Sequence, residues 1–129
     1  RLWNPNNHKD EDEKNRRILQ NEFRIKACEI IKRNFNDCEV GIFADNYSID
    51  NCPKELLLSP SSTSKINYLK KLRNSNICIS DDGLKDTPGW KIGEYLLFGK
   101  AVITTPIIFL LIIFEKILIM RNYLQGRLT

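Results

Sequence analysis

The stretch Asp81–Pro106 constrains the fold of this chain more than any other, because signals for a loop, a helix and a strand follow one another there. The short apolar run Asn76–Ser80 comes just before it and is typical of a β-strand. After the helix, Ala101–Thr105 has the same strand-like composition. Strands separated by a helix predict a parallel βαβ unit with a right-handed crossover.

Both ends of the helix in this unit are predicted from the sequence. Thr87 is expected to act as its N-cap, and Pro88 suits the first helical position because an N–H there has no partner. Gly99 fits the left-handed residue that closes a helix, and Lys100 then leads into the next strand.

The start of this helix has the features of an anion site. Free amides of Gly89 and Trp90 would point out of the N-terminus, and Lys91 adds a positive charge. Open α/β sheets bind ligands past the carboxyl ends of their strands, where this loop lies. Glu94 would follow roughly 9 Å along the axis from Pro88. An ordinary crossover helix with solvated Lys91 and Glu94 gives the same pattern, so both interpretations stay open.

Composition places the chain among ordinary globular domains. It has 129 residues, of which 42% are hydrophobic and 28% charged, with a net charge of +4. Basic and acidic residues alternate rather than cluster, which argues against a nucleic-acid partner. The chain is long enough for one core.

The residues most often used in catalysis show no active-site spacing. The four cysteines have no Cys-x-x-Cys pair, so no zinc or redox site is expected, and a reducing cytoplasm is the simplest compartment. His8, the single histidine, is predicted to lie in a surface loop. The adjacent Asp81 and Asp82 are interpreted as loop and cap residues rather than an acid–base pair.

A long amphipathic helix is predicted over Arg16–Phe35. Its apolar positions recur at helical spacing and should form one buried stripe: Leu19, Phe23, Ala27, Ile30 and Ile31. Asn21 and Arg24 lie three residues apart on one face, where a solvated polar role is favoured over a contact with a ligand or a second lobe.

The middle of the chain continues the alternation of helices and strands. A strand is predicted at Glu39–Ala44, a loop with one turn at Tyr47–Ser62, and a helix at Ser64–Asn74. In that helix, Ile66, Leu69 and Leu72 should face the core. The fold class is therefore α/β, a Rossmann-like parallel sheet with flanking helices on both faces.

The tract Asp86-Thr-Pro-Gly89 through Glu94-Tyr-Leu-Leu-Phe-Gly99-Lys-Ala-Val-Ile-Thr104 resembles the donor-binding segment of GT-B fold glycosyltransferases. An acid, a seven-residue gap and a glutamate precede a helix, a glycine and a Val-Ile strand. The run Gly89-Trp-Lys-Ile-Gly-Glu-Tyr95 is most similar to a bacterial group with a Gly-Trp-Lys-x-x-Glu-Tyr signature. Arg1-Leu-Trp-Asn-Pro5 and Asn21-Glu-Phe-Arg24 resemble upstream parts of the same group.

This resemblance implies a nucleotide-sugar donor as substrate and no metal or other cofactor. The donor diphosphate would lie at Thr87, Gly89, Trp90 and Lys91, with Glu94 on the ribose hydroxyls. Asp86 would contact the donor sugar, although aspartate is one methylene shorter than the usual glutamate. A saccharide or lipid-linked acceptor and an N-terminal lobe would complete the enzyme, and the chain alone is expected to be inactive.

The resemblance fades after Pro106, which divides the chain into a partial GT-B C-terminal domain, 1–106, and an apolar tail, 107–129. Eight apolar residues, Ile107–Phe114, are followed by two charges, which is too short for a membrane span. A truncation or an altered reading frame would explain this tail. Peripheral contact with the inner face of a membrane is one expectation for it.

A non-catalytic binding or interaction module is the alternative function. One lobe supplies only half of the cleft in which a two-lobed transferase works, so a degenerate or truncated transferase would keep the fold without the activity. Saturable binding of nucleotides separates the two interpretations.

Overall fold

The structure is a computed structural model that describes residues 1–83, 87 and 89–105. The chain divides into two units, Arg1–Asn74 and Ser75–Thr129. The described part is mixed α/β, and each unit contains a sheet of two parallel strands. The predicted division after Pro106 lies outside the described residues.

The first unit alternates helices, short 3₁₀ turns and two short strands. Its elements are a turn at Pro5–Asn7, α1 (Glu11–Asn34), β1 (Ile42–Phe43), α2 (Asn46–Asn51), a turn at Lys54–Leu56, β2 (Leu57–Leu58), a turn at Pro60–Thr63 and α3 (Lys65–Asn74). β1 and β2 are parallel, with Ile42 opposite Leu57. The core around them is formed by Leu2, Ile42, Cys52 and Leu56.

The ends of α1 agree with the charge preferences of a helix dipole. The Asp10 side chain caps the helix by accepting a hydrogen bond from the Asp12 N–H. Three acids occupy the first turn, whereas Lys32 and Arg33 lie in the last. Negative charge at the N-terminus and positive charge at the C-terminus both stabilise a helix, which explains why α1 begins five residues before the predicted Arg16.

The predicted orientation of α1 is wrong. Leu19, Phe23 and Ile30, expected in the core, are 65%, 41% and 47% exposed, whereas the buried residues of the helix are Glu13, Gln20 and Asn21. Polar groups can be buried when hydrogen bonds replace their water contacts. Asn21 is bonded to the backbone of Trp3, and Glu13 to the side chains of Arg16 and Arg17 on the same helix.

Glu13 is the charged member of that buried face. Its carboxylate accepts hydrogen bonds from the Nε atoms of Arg16, at 3.2 Å, and Arg17, at 3.1 Å. Burial raises the pKa of Glu13, but the hydrogen bonds from Arg17 and Arg16 outweigh burial, and the net pKa lies below its usual value. Arg17 also donates from Nη1 to the Asn4 carbonyl, which ties the ion pair to the start of the chain.

The loop predicted at Tyr47–Ser62 instead contains α2, two 3₁₀ turns and β2. Asp45 starts α2, because its Oδ1 accepts a hydrogen bond from the Ser48 N–H at 2.9 Å. In α3, Leu72 is buried as predicted, but Ile66 is 69% exposed, contrary to prediction. The strand predicted at Glu39–Ala44 is present only at Ile42–Phe43.

The second unit confirms the predicted strand–helix–strand order. β3 (Ile77–Ser80) and β4 (Ala101–Thr104) are parallel, with Ile77 opposite Ala101, and α4 (Trp90–Leu97) connects them and contacts both. Cys78 and Ile92 are buried. The sheet is not covered on both faces as predicted, because Ile77, Ile79 and Ile103 project from one face and are 40% to 60% exposed.

The sequence predicts the C-terminal end of α4 correctly but not its N-terminal end. The helix starts at Trp90 with Gly89 as N-cap and no side-chain cap, so the prediction that Thr87 caps it is wrong. The C-terminal prediction is confirmed: Gly99 has a φ of +66°. The Gly99 N–H donates to the Leu96 carbonyl and the Lys100 N–H to that of Tyr95, the hydrogen-bond pattern of a Schellman motif.

Candidate functional site

The candidate site lies where β3 and β4 both end. The backbone N–H of Asp82 donates to Thr105 Oγ1 at 2.9 Å, and the Thr105 hydroxyl donates to Asp82 Oδ1 at 3.2 Å. This reciprocal pair joins the carboxyl ends of the two strands. Asp82 thus acts as a loop residue, in agreement with its interpretation from the sequence.

The loop after β3 turns back on itself at two glycines. The Gly83 N–H donates to the Thr87 carbonyl, and a Cβ at Gly83 would lie only 2.7 Å from that oxygen. A Cβ at Gly89 would lie 3.1 Å from the Asp81 carbonyl oxygen. A side chain at Gly83 would collide with this turn, and one at Gly89 would crowd it, so glycine allows the loop to bring the start of α4 close to the end of β3.

The start of α4 presents one aromatic and two charged side chains. Trp90 is 91% exposed. Lys91 Nζ lies 3.6 Å from Glu94 Oε2, an ion pair between residues three apart whose side chains are 49% and 40% exposed. Exposed pairs of this kind contribute about 0–1 kcal/mol, so a ligand can separate them at little cost.

The position of the helix start changes the spacing that the sequence predicts. Because α4 begins at Trp90 rather than at Pro88, the amides of its first turn belong to Gly89, Trp90 and Lys91. Glu94 follows Trp90 by about 6 Å along the axis, instead of the roughly 9 Å expected from Pro88. The carboxylate is therefore closer to the helix start than predicted.

The structure brings together five of the six predicted binding residues within one loop and helix: Thr87, Gly89, Trp90, Lys91 and Glu94. Thr87 is exposed. Asp86, the sixth, lies outside the described residues, so its contact with a donor sugar stays a prediction.

The role favoured for Asn21 and Arg24, a solvated polar face, is wrong. Asn21 is buried; its Oδ1 accepts from the Trp3 N–H and its Nδ2 donates to the Trp3 carbonyl, both at 2.7 Å. Arg24 Nη1 donates to the Arg1 carbonyl, and its guanidinium carbon lies 5.6 Å from the centroid of the Trp3 ring. Both residues hold the start of the chain in place.

No local pattern in the sequence reveals this arrangement. The bonds join residues eighteen or more apart, and helix periodicity reports which face is apolar, not which face is buried. Ser48 adds another contact of the same kind, since its hydroxyl accepts from the Leu2 N–H at 3.0 Å.

A small cleft in the first unit is too narrow for a nucleotide. Its volume is about 160 Å³, and it is lined mainly by Leu2, Ile18, Ile25 and Tyr47, with Asn21, Glu22 and Asn51 also contributing. Pockets for drug-sized ligands usually measure about 300–1,000 Å³. This cleft is therefore not a donor site.

Three of the four cysteine thiols, those of Cys28, Cys52 and Cys78, are poor candidates for nucleophiles. All four cysteines are free, and Cys52 and Cys78 are buried. Burial raises the pKa of Cys28, Cys52 and Cys78, which keeps these thiols protonated and unreactive at neutral pH.

The part of the chain that the structure describes contains neither a metal-binding cluster nor a membrane-spanning helix. Its His, Cys, Asp and Glu residues nowhere form a group of three that could hold a metal ion. None of its helices has both the length and the apolarity that crossing a bilayer requires.

Comparisons with protein-family models, with curated proteins and with solved structures gave no significant match. The fold class that the coordinates define is mixed α/β with a parallel βαβ unit, and the candidate site is the loop and helix start at the carboxyl edge of that unit.

Proposed function

We propose that this chain supplies the nucleotide-sugar-binding lobe of a glycosyltransferase with the GT-B fold, and that its sheet is part of a wider Rossmann-like sheet. The observation that carries the proposal is the parallel unit β3–α4–β4, in which Lys91 and Glu94 lie 3.6 Å apart on the first turns of α4. The Gly-Trp-Lys-x-x-Glu-Tyr resemblance adds to it. Open α/β sheets bind ligands at this edge.

The diphosphate of the donor would bind at the start of α4. The amides of Gly89 and Trp90 are placed at the positive end of the helix dipole, and the Lys91 ammonium and Thr87 hydroxyl are close in sequence to them. As the bond to the sugar breaks, negative charge grows on the diphosphate. Fixed amides and a nearby ammonium group stabilise that charge without rearranging, which lowers the barrier.

Glu94 would accept hydrogen bonds from the ribose hydroxyls. Without a ligand its carboxylate pairs with Lys91. When the diphosphate draws the Lys91 ammonium toward the helix start, Glu94 Oε2 is released to accept from the ribose. Lys91 and Glu94 thus give up their contact with each other, and each binds a ligand group instead: the diphosphate for Lys91 and the ribose for Glu94. Asp86 would contact the sugar itself.

Transfer would require the acceptor, a saccharide or a lipid-linked saccharide, and a second lobe that closes the cleft. We therefore expect this chain alone to bind a donor and to show no turnover. The proposed compartment is the cytoplasm, with peripheral contact at the inner face of a membrane, where nucleotide sugars and lipid-linked acceptors meet.

A non-catalytic interaction module is the second candidate function. It is favoured by the exposed apolar side chains of the β3–β4 sheet, Ile77, Ile79 and Ile103. Exposed apolar residues that lie together often mark a surface for another protein. This function requires the sheet face and makes no use of Lys91 or Glu94.

Calorimetric titration of the full chain with nucleoside diphosphates and nucleotide sugars tests the proposal. We expect saturable binding that Lys91→Ala weakens at least about tenfold, since hydrogen bonds to charged groups contribute about 1.5–3 kcal/mol. Glu94→Ala should weaken the binding of ribonucleotides about tenfold and leave the affinity for 2′,3′-dideoxynucleotides unchanged. Lys70→Ala and Glu22→Ala, at exposed positions of α3 and α1, serve as matched controls and should bind normally.

Each negative result has a definite meaning. The absence of saturable binding to every nucleotide would refute the donor-lobe proposal and favour the interaction module. Binding that Lys91→Ala and Glu94→Ala leave unchanged would show that the nucleotide binds elsewhere on the chain.

A further inference from the structure

The side of α1 that faces away from the core of the first unit carries an apolar stripe, defined by Leu19, Phe23 and Ile30. These side chains are 65%, 41% and 47% exposed. At 3.6 residues per turn, all three point within about 40° of one direction. The helix instead buries Glu13, Gln20 and Asn21 on its other side. Lys26, which is also exposed, lies between Phe23 and Ile30 on this face, about 20° from the direction of Leu19. The stripe is thus an apolar surface crossed by one lysine, whose aliphatic stem can pack beside apolar neighbours.

Charge at the two ends of the stripe is opposite in sign. Asp12, in the first turn of α1, and Arg33, in the last, lie within about 40° of the direction of Leu19. Both residues are exposed. Phe23 lies close to the middle of the helix Glu11–Asn34. When two copies of α1 lie antiparallel, the apolar centres face each other and the acidic end of each helix faces the basic end of the other.

We propose that the stripe is a dimer interface, in which α1 packs antiparallel against α1 of a second copy. A two-fold axis near Phe23 would place the two Phe23 rings together. Asp12 of each chain would then face Arg33 of the second copy, so the interface contains this ion pair twice. A parallel arrangement is disfavoured, because it would put Asp12 against Asp12 and Arg33 against Arg33.

The charged residues also favour a protein copy over a lipid surface as the occupant. An anionic membrane would attract Arg33 and Lys26 but repel Asp12 and Glu11 in the first turn. A second copy satisfies both ends. The proposal does not depend on the nucleotide-binding function, because it uses no residue of the loop or of α4.

Sedimentation equilibrium of the full chain at low salt measures the association. We expect a reversible monomer–dimer equilibrium that Phe23→Asp abolishes. Ile66→Asp is the matched control, since Ile66 is 69% exposed on α3 and outside the stripe, and should leave the equilibrium unchanged. Circular dichroism verifies that each variant keeps its helix content.

Charge reversal tests the antiparallel direction. Asp12→Lys and Arg33→Glu alone should each weaken the dimer about tenfold, because two exposed pairs become repulsive. The double variant Asp12→Lys/Arg33→Glu should restore it to within about threefold of the original, since the pairs are then reversed but still opposite.

Three results of sedimentation equilibrium would overturn the proposal. The first is a monomer at all concentrations, and the second is a dimer that persists in Phe23→Asp. The third is a double variant as weak as the single variants, which would exclude the antiparallel pairing. Sedimentation with phosphatidylglycerol vesicles that depends on Phe23 would identify a lipid surface as the occupant instead and would equally contradict the dimer.

Discussion

At the scale of single residues, the first unit depends on side chains that bind the backbone of another segment. Asn21 binds both the N–H and the carbonyl of Trp3, and Ser48 and Arg17 bind the backbone of Leu2 and Asn4. Asn21 and Arg17 make their contacts from the polar face of α1, and Ser48 makes its contact from α2. Leu2, which is 2% exposed, is thereby held in the core. A buried amide with both its groups satisfied stabilises one arrangement of the chain and penalises others.

Asn21→Ala should lower the free energy of unfolding by about 1–3 kcal/mol, because the Trp3 N–H and carbonyl lose their partner while still partly buried. Urea unfolding followed by circular dichroism measures this loss. Asn15→Ala on the same helix is the control: Asn15 is exposed, so its replacement should be neutral or slightly stabilising. Equal stability of the two variants would contradict the role assigned to Asn21.

At the scale of the elements, α4 shows how one residue ends a helix. Gly99, at a φ of +66°, lets the Gly99 and Lys100 amides turn back onto the carbonyls of Leu96 and Tyr95. The chain can then enter β4 at Ala101, parallel to β3. Gly93, inside the same helix, has no such task, and a Cβ added there would meet nothing within 4 Å.

The two glycines of α4 should respond to alanine in opposite directions. Gly99→Ala should destabilise the second unit by about 1–2 kcal/mol, the cost of a left-handed conformation for an L-residue. Gly93→Ala should stabilise it by about 0.5–1 kcal/mol, the difference in helix propensity. Hydrogen exchange of the α4 amides measures both effects. A loss of protection in Gly93→Ala, or none in Gly99→Ala, would show that the end of α4 is misassigned.

The second unit could be predicted from the sequence because its signals are local. Gly99 and the two apolar strands specify a helix between parallel strands, and the spacing of Lys91 and Glu94 places them on one helix face. The start of α4 was predicted wrongly because Thr87 and Pro88 formed a plausible cap, whereas the loop instead turns back through the bond between Gly83 and Thr87.

The orientation of α1 could not be predicted, because it depends on contacts distant in the chain. Apolar periodicity favours burying Leu19 and Phe23, but the hydrogen bonds of Asn21 to Trp3 select the other face. α2, in contrast, has a local signal in the sequence: Asp45 is a favoured N-cap residue, and its carboxylate accepts from the backbone N–H of Ser48.

At the scale of the whole molecule, the described chain consists of two α/β units that each rely on a two-stranded parallel sheet and a small buried core. Sheets of this size need cover from helices to be stable. In the first unit, two carboxylates held by hydrogen bonds add to that stability. One is Glu13, and the other is Asp45, which accepts from Ser48 at the start of α2.

Stability should decrease in acid for this reason. Burial raises the pKa of Asp45, but the hydrogen bonds from Ser48 outweigh it, so the pKa values of Asp45 and Glu13 both lie below their ordinary values of 3.8 and 4.5. Lowered pKa values in the folded state mean that the unfolded chain takes up protons first. The stabilisation from these two carboxylates is complete at pH values above their ordinary pKa. It is lost as the pH falls through the lowered pKa values of the folded state.

Urea unfolding between about pH 6 and about pH 2 measures this dependence. The free energy of unfolding should fall with decreasing pH, and Glu13→Gln should show a shallower decrease from a lower starting value. Glu22→Gln, at an exposed position of α1, should reproduce the original slope. A slope that Glu13→Gln does not change would mean that other carboxylates cause the acid sensitivity.

The contact between Asn21 and Trp3 has a consequence for how the start of the chain can vary. The Asn21 side-chain amide is hydrogen-bonded to the backbone of Trp3 and not to its indole. Almost any amino acid at position 3 can therefore keep both hydrogen bonds. Proline is the exception, since it has no N–H to offer. Relatives of this chain can therefore keep both hydrogen bonds with any residue but proline at position 3, whereas the contact of the Arg24 guanidinium with the ring requires an aromatic side chain there.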